Sequence, residues 1–372
     1  MRTVRRLLYA DVIGSVVFVT LVFLSLLFFI DFVEELDNVG RGAYRVQHAA
    51  LYCLMLLPGH VYELFPIAVL IGSIYAMARL AQSSEFTILR TGGLGPGRAL
   101  GLLAVLGLAF GLVTFVVGDY VAPAIDAQAQ TMRSALRGDA VRHRQGAWLK
   151  DRRMAAPGEE PPGERIDSIH VGQVGRDGRL ADVRIFEFDA DGRPLLRIEA
   201  ARAQVEDGGW RLEDVRVTRW RDASASELPP DDRIAEMRWA TQLTPGVVDA
   251  AVAPLRSMST ISLYRYMSHL SDNEQAAQRQ EIQFWKKALY PLACLVMVGL
   301  ALPFAYLHAR AGGVSVRVFG GILLGISFVL LNNVSTHLGL LRDWTPWVAA
   351  AAPGAFYLLL SMAAFSWLVR YR

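Results

Sequence analysis

Cysteine and lysine are scarce in this 372-residue chain. Its two cysteines, Cys53 and Cys294, lie in separate apolar runs far apart in the sequence. They provide neither a disulfide framework nor a zinc-ligand pair, so two buried thiols are predicted. Only three of the 38 basic residues are lysines, namely Lys150, Lys286 and Lys287. The positive charges of the chain are therefore almost all arginines.

The sequence also lacks the motifs of common catalytic sites. A P-loop needs Gly-Lys-Ser/Thr, whereas the three lysines are followed by Asp151, Lys287 and Ala288. Gly-x-Ser-x-Gly, His-Glu-x-x-His and Cys-x-x-Cys do not occur. We predict no catalytic residue, no metal ligand and no cofactor in this chain, so any ATP and Mg would be bound by a partner ATPase. An intramembrane hydrolase is excluded because the apolar runs contain no nucleophile–base pair.

Long apolar runs are abundant. Six runs are long enough to cross a ~30 Å hydrocarbon core as helices: Leu8–Ile30, Ala50–Ala78, Ala99–Val121, Ala288–Leu307, Val318–Leu338 and Val348–Val369. The first follows three arginines but is too long for a signal peptide, so it is predicted to remain as a helix.

Arginine predicts the orientation. Ten arginines flank the runs on one side, against three on the other, which places both termini in the cytoplasm. The ten are Arg2, Arg5, Arg6, Arg79, Arg90, Arg98, Arg310, Arg317, Arg370 and Arg372, and the three are Arg41, Arg45 and Arg342. The net charge of +3 thus records membrane topology and does not indicate nucleic-acid binding.

A polar stretch separates the third and fourth runs. Apolar residues alternate at Val183 and Ile185 and at Leu196, Ile198 and Ala200, which is typical of half-buried strands. Predicted hairpin turns are Asp177-Gly178, Asp191-Gly192 and Asp207-Gly208-Gly209. The predicted fold is an α-helical membrane protein of six transmembrane helices with a periplasmic all-β domain, a sandwich or jellyroll, between helices 3 and 4. The predicted boundaries are 1–139, 140–256 and 257–372.

Two segments of the insert and its exit are predicted to be irregular or interfacial. Arg152–Arg165 combines charges with three prolines, which favours a loose surface loop. Ser259–Lys287 is polar and compatible with a helix, which we interpret as a membrane-surface connection to the fourth run.

The loop between the second and third runs predicts a short helix at about 83–92. Ser83 or Ser84 suits its cap, Glu85 its first turn and Gly92 its end. Such a helix suits docking of a nucleotide-binding subunit, through Glu85, Phe86 and Arg90. The alternative is a helix lying on the lipid surface.

Other features have two interpretations each. His60 and Glu63, one turn apart, fit either a proton relay or a hydrated membrane interface. Gly107 with Gly111 and Gly321 with Gly325 have a spacing that allows close helix approach, although glycine is common in membrane helices.

Six motifs, in order, resemble the LptF/LptG family of lipopolysaccharide-export permeases over nearly the whole chain. They are Phe32–Leu36 with Gly40–Gly42, Phe65-Pro66, Leu80–Glu85, Gly118–Pro123, Gln145–Lys150 and Phe284–Lys287. None is diagnostic alone, but their order and spacing around a β-insert are specific.

The resemblance implies a Gram-negative inner-membrane permease that takes lipopolysaccharide from the outer leaflet and passes it to a periplasmic bridge. Implied partners are an LptF-like permease, two copies of an LptB-like ATPase and an LptC-like bitopic protein, together with membrane lipid. It also implies that Glu85 enters a groove of the ATPase, and that spans one and five of opposing subunits form lateral gates.

The family's substrate contacts are basic residues at the outer ends of spans one and three. Arg133 matches one such position, whereas the position one turn earlier is Gln130. Lysines that follow span one in some members are replaced at Asp37 and Asn38. Arg41, Arg45 and Arg137 are the available substitutes. The remaining alternative function is a membrane-anchored periplasmic scaffold without transport activity, which would need neither Glu85 on an apolar cytoplasmic helix nor charges at the end of span three.

Overall fold

The computed structural model describes residues 2–83, 85–91, 93, 95–137, 147–154, 163–174, 179–206, 209–220, 231–241, 243–244, 247–248, 258–272, 277–306 and 313–371. Within these ranges the chain divides into two compact units. Residues 1–133 and 278–372 form the helical unit, and residues 134–277 form the β-unit.

The long apolar runs form helices. Their bounds are α1 (Arg2–Leu36), α2 (Val46–Gln82), α4 (Pro96–Val116), α7 (Gln278–Tyr306), α8 (Val314–Leu341) and α9 (Pro346–Tyr371). A short helix, α3 (Glu85–Thr91), lies between α2 and α4, and α4 continues through a π-helical turn at Val117–Val121 into α5 (Ala122–Arg137). Among the residues that the structure describes, six stretches are long and apolar enough to cross a membrane, as the sequence predicted, and the third runs from Pro96 to Arg137.

Helix α2 is the centre of the helical unit. Its residues Val69, Leu70, Ile74 and Met77 are fully buried against α1, α7 and α8. By contrast, most of α1 beyond Val16 leaves large apolar side chains exposed, including Phe18, Leu21 and Phe29. Exposed apolar surface of this extent needs lipid or a partner to cover it.

Both glycine pairs pack helices closely within the chain. A Cβ on Gly107 or Gly111 would lie within 2.9 Å of the backbone of α7. On α8, a Cβ on Gly321 or Gly325 would lie 2.8 Å or 2.7 Å from an isoleucine of α2. The glycine face of the fifth span is therefore covered by the second span of the same chain.

The described residues of the β-unit form six antiparallel strands in one sheet, in the order β1-β2-β3-β4-β5-β6. They are β1 (Ala147–Met154), β2 (Glu164–Val174), β3 (Arg179–Asp189), β4 (Pro194–Glu206), β5 (Gly209–Arg219) and β6 (Asp231–Trp239). The predicted β-insert between the third and fourth spans is confirmed. Gly192, at φ +79°, closes the β3–β4 hairpin where Asp191-Gly192 was predicted. The turn at Asp177-Gly178, and Asp207-Gly208 of the third turn, lie outside the described residues.

One face of the sheet is apolar and buried. Across β2, β3, β4 and β5, Ile169, Ile185, Ile198 and Val217 are opposite one another and at most 2% exposed. Asp182 and Asp214 adopt positive φ angles of 52° and 51°. These two residues shift the alternation, and as a result Leu180 and Val183, three positions apart, are both buried.

The end of β6 and the segment that follows it cover part of this face. Trp239, Leu243 and Val248 belong to the same buried cluster, and Tyr266 of α6 (Thr260–Asp272) packs against it. The polar segment 259–287 is therefore split between α6 in the β-unit and the start of α7 in the helical unit.

Candidate substrate and coupling sites

Arg133 on α5 forms the best-defined charged site of the helical unit. Its Nη2 lies 2.9 Å from Oε2 of Glu35, near the end of α1. Its Nη1 donates to the Tyr52 hydroxyl of α2 at 3.3 Å, and its Cζ lies 4.9 Å from the centre of the Tyr52 ring. Three helices thus meet at one guanidinium.

Gln130, one turn earlier on α5, completes this group by donating from Nε2 to the Tyr52 hydroxyl at 3.0 Å. Gln130 therefore holds the hydroxyl of the tyrosine whose ring lies under the Arg133 guanidinium. Arg133, Glu35, Tyr52 and Gln130 are called the Arg133 cluster below.

The loop between α1 and α2 closes over this cluster. Backbone bonds from Gly40 to Tyr44 and from Tyr44 to Arg41 make the loop compact, and Gly40 has a φ of +91° that favours glycine. Tyr44 is only 1% exposed. Burial raises the pKa of Tyr44 and the negative charge of Glu35 raises it further, so this hydroxyl stays neutral.

The other predicted substrate residues are Arg41, Arg45 and Arg137. Arg41 and Arg45 are exposed in the loop. Arg137 is partly exposed one turn beyond Arg133 on α5. The structure thus places one of the four predicted arginines in an ion pair with a buried carboxylate and leaves Arg41 and Arg45 exposed.

The predicted coupling region contains the seven-residue helix α3. Glu85 begins it and is exposed, in the first turn, where the helix dipole favours an anion. Ile88 is 67% exposed, whereas Leu89 packs against the core of the helical unit. The side chains of Phe86 and Arg90 lie outside the part of the chain that the structure describes. Helix α3 is therefore anchored by one apolar residue and presents another, together with Glu85, to its surroundings.

Two polar side-chain pairs between helices are not evident in the sequence. His60 bonds to Asp31 of α1, with 2.6 Å between Nε2 and Oδ2. Lys287 of α7 lies 3.8 Å from Asp119 in the π-helical turn, and both side chains are largely buried. The sequence had grouped His60 with Glu63 because they are one turn apart. The structure instead pairs His60 with a different helix, because α1 and α2 pack against each other.

The β-unit has a charged cluster at one end of its apolar face. Asp151, Asp167 and Glu187 are directly opposite one another in β1, β2 and β3, and each is at most 2% exposed. Arg153 bonds to Asp167 at 3.0 Å and to Glu187 at 2.7 Å, and Arg165 bonds to Glu187 at 2.8 Å. The prediction that 152–165 is a loose surface loop is therefore wrong at both ends. These ends are strand, and Arg153 and Arg165 form ion pairs there with the buried carboxylates of β2 and β3.

Burial raises the pKa of Asp167 to about 7, and the adjacent Glu187 charge raises it too, while Arg153 acts in the opposite direction. Like charges directly opposite in a sheet repel one another, so this row of three acids favours a protonated Asp167.

Within the described ranges, no group of three or more histidine, cysteine, aspartate or glutamate side chains is arranged to hold a metal ion. Cys53 and Cys294 are both buried free thiols, as the sequence predicted.

The sequence matches known proteins along almost its whole length. The family model described as lipopolysaccharide export system permease LptF/LptG matches residues 6–369. The lipopolysaccharide export system permease protein LptG of Escherichia coli (strain K12) is 28% identical over 361 residues, which cover 94% of this chain and 95% of that protein. Its namesake in Haemophilus influenzae (strain Rd) is 26% identical over 364 residues, covering 96% of each chain.

Proposed function

Since the chain belongs to the LptF/LptG family of lipopolysaccharide export permeases, we propose that it is the permease subunit of an ATP-driven transporter. It takes lipopolysaccharide from the outer leaflet of the inner membrane and passes it to a periplasmic bridge toward the outer membrane. Both termini lie in the cytoplasm and the β-unit in the periplasm. A family match over residues 6–369, spanning six membrane-length helices and the β-insert, carries this proposal.

The partner of the helical unit is a second, LptF-like permease. The exposed apolar residues of α1, among them Phe18 and Leu21, are the surface that this partner, lipid and cargo would cover. An LptC-like bitopic protein supplies one further helix and extends the β-unit.

ATP hydrolysis is assigned to an LptB-like ATPase dimer, which binds ATP and Mg. Helix α3 is the contact: Glu85 ion-pairs with a basic groove, and Phe86 and Arg90 lie on the same seven-residue helix. The exposed position of Glu85 and Ile88 supports this assignment.

Arg133 contacts a phosphate of the lipid. An arginine fork at a site of low dielectric gives a directional, charge-assisted bond to a phosphate. Arg137 on the same helix, and Arg41 and Arg45 in the loop over the cluster, contribute further positive charge.

The test is purification of the chain from mild detergent, followed by reconstitution with its partners. We expect co-purification of an ATPase and a second, LptF-like permease, and ATP-dependent release of lipopolysaccharide from vesicles to an acceptor protein. A chain that purifies without an ATPase, and whose loss leaves lipopolysaccharide export intact, would instead be a membrane-anchored scaffold.

A further inference from the structure

The Arg133 guanidinium already holds an anion. Its Nη2 lies 2.9 Å from Oε2 of Glu35, and only 7% of the Glu35 side chain is exposed. The Arg133 side chain is 26% exposed, so a ligand can reach it. A lipid phosphate that binds Arg133 therefore meets a carboxylate on the same guanidinium, at a partly buried site where charge interactions are stronger than in water.

This ion pair is only partly formed. Among the described residues, Oε1 of Glu35 and Nε of Arg133 have no hydrogen-bond partner, although both atoms are buried. A bidentate arginine–carboxylate pair uses both oxygens and is stronger. A phosphate monoester offers three acceptor oxygens and up to two charges, so it can engage more of the fork than one carboxylate oxygen does.

The surrounding residues hold the Arg133 guanidinium in place while its anion is exchanged. The Tyr52 ring lies under the guanidinium at 4.9 Å, and the Tyr52 hydroxyl accepts from both Arg133 and Gln130. Glu35 in turn lies in the last turn of α1, next to the buried Tyr44.

We propose that Glu35 is the resident counter-ion of Arg133 and competes with the lipid phosphate for it. The proposal rests on the function proposed above, which supplies the phosphate. By re-occupying Arg133, Glu35 lowers the affinity of the site and speeds release of the lipid, as a transport site requires. The competition also favours phosphate monoesters over the singly charged diesters of membrane phospholipids.

The test uses Glu35→Gln in the assembled transporter in nanodiscs, because glutamine keeps the shape and removes the charge. Lipopolysaccharide is titrated while binding and lipid-stimulated ATP hydrolysis are measured. We expect the half-saturating concentration to fall about tenfold, which is the scale of one charged hydrogen bond that binding no longer has to break. The maximal rate should fall as well, because release slows. Glu34→Gln, an exposed acid one residue away, is the matched control and should change neither value.

Two further arms separate this inference from the proposed function. Arg133→Gln should weaken binding of lipopolysaccharide, and adding Glu35→Gln in that background should leave affinity unchanged, since the competitor acts only through Arg133. The double replacement also avoids leaving the buried Glu35 carboxylate without Arg133. Lipid A stripped of its phosphates should bind equally to wild type and Glu35→Gln.

Unchanged or weaker binding in Glu35→Gln, alongside weaker binding in Arg133→Gln, would show that Glu35 only supports the fold. If Arg133→Gln bound lipopolysaccharide as tightly as wild type, the phosphate contact itself would be wrong. A gain in Glu35→Gln that persisted without Arg133 would contradict the inference too.

Discussion

At the scale of single residues, buried charge distinguishes this chain from an ordinary set of membrane helices. Arg133 with Glu35, and Arg153 with Asp167 and Glu187, are ion pairs with little exposure on the acid side. Removing one partner of such a pair costs about 3–5 kcal/mol, because the other charge stays buried and unpaired. A variant at one of these positions therefore needs a control in which both partners are replaced, or in which the replacement keeps the charge.

The first prediction concerns arginine geometry at Arg133. Arg133→Lys keeps the positive charge beside Glu35 but loses the planar fork. We expect the chain to fold and assemble, and lipopolysaccharide binding to weaken by up to about 1.5–3 kcal/mol, the range for a hydrogen bond to a charged group. Arg133→Glu should lose binding more completely, while basal ATP hydrolysis survives in the variants that assemble. Wild-type binding by Arg133→Lys would show that charge alone suffices.

The second prediction follows from the raised pKa of Asp167, about 7 in the folded chain against about 4 in an unfolded one. Between these two values the folded state binds more protons than the unfolded state. The free energy of unfolding of the β-unit should therefore fall as the pH rises from about 4 to about 7, and this contribution should be constant above that range.

Thermal unfolding of the full chain in detergent, followed across this pH range, tests the effect. Asp167→Asn should flatten the dependence, because the neutral side chain no longer titrates. Asp191→Asn, at a residue whose side chain is 75% exposed, is the control and should keep it. A wild-type unfolding temperature that rises between pH 4 and pH 7, with no difference in Asp167→Asn, would contradict the assignment.

At the scale of secondary-structure elements, the π-helical turn at Val117–Val121 joins the third span to α5. Such turns inside α-helices are frequent at functional sites. Here the turn lets Gly118 lie against Tyr62 of α2 and brings Asp119 within 3.8 Å of Lys287 of α7. Two motifs that are far apart in the sequence, Gly118–Pro123 and Phe284–Lys287, are therefore in contact.

The third prediction tests this packing. A Cβ on Gly118 would lie 2.1 Å from the Tyr62 ring, so Gly118→Ala must displace the Tyr62 ring or the α2 helix that carries it. We expect a loss of about 1–3 kcal/mol in stability, as for other overpacked cores. Gly101→Ala on the same span, where no atom lies within 4 Å, should be neutral or slightly stabilising. Thermal unfolding in detergent compares the two, and equal stability would show that α2 yields at no cost.

The fourth prediction concerns helix α3. Glu85→Lys reverses an exposed charge, so the permease should still fold and insert. Assembly with the ATPase should weaken, or ATP hydrolysis should continue without transport. Asp191→Lys, a reversal at an exposed residue of the β-unit, should assemble normally. Full transport by Glu85→Lys with the native ATPase would remove α3 from the coupling interface.

At the scale of the whole molecule, the chain separates a helical unit from a β-unit with its own core. The apolar face of the sheet carries Val183, Ile185, Ile198 and Leu212, each at most 1% exposed. In this structure the face is covered, in part by Trp239, Leu243 and Val248. If lipid passes along this face during export, the cover has to move.

The fifth prediction therefore ties lipid contact to turnover. Photo-crosslinking residues introduced at Val183, Ile185, Ile198 and Leu212 should capture lipopolysaccharide in the assembled transporter when ATP is hydrolysed, and capture little without ATP. The neighbours Arg184 and Glu213, on the opposite face, are the controls and should capture none. Capture only at these two controls would move the lipid path to the outer face of the sheet.

Much of the architecture follows from the sequence, because water and lipid each favour particular residue types within one helix or strand. A run of about 20 apolar residues has to form a helix in lipid, and alternation fixes which strand face is buried. Six spans, the β-insert, the Asp191-Gly192 turn and the two free thiols were predictable for that reason. The helix at Glu85–Thr91 was predictable too, because capping residues and glycine mark helix ends locally in the sequence.

The pairing of charges is decided only by tertiary structure. Glu35 and Arg133 are far apart in the chain, and no spacing rule brings them together; the packing of α1 and α5 around Tyr52 does so. Arg153 and Arg165 were assigned to a surface loop because charged residues near prolines are usually solvated. Instead they pair with buried acids, because the register of β1, β2 and β3 places three carboxylates in one row. Sequence patterns indicate whether a residue faces water or an apolar environment. Which partner pairs with a buried charge is decided by how the chain packs.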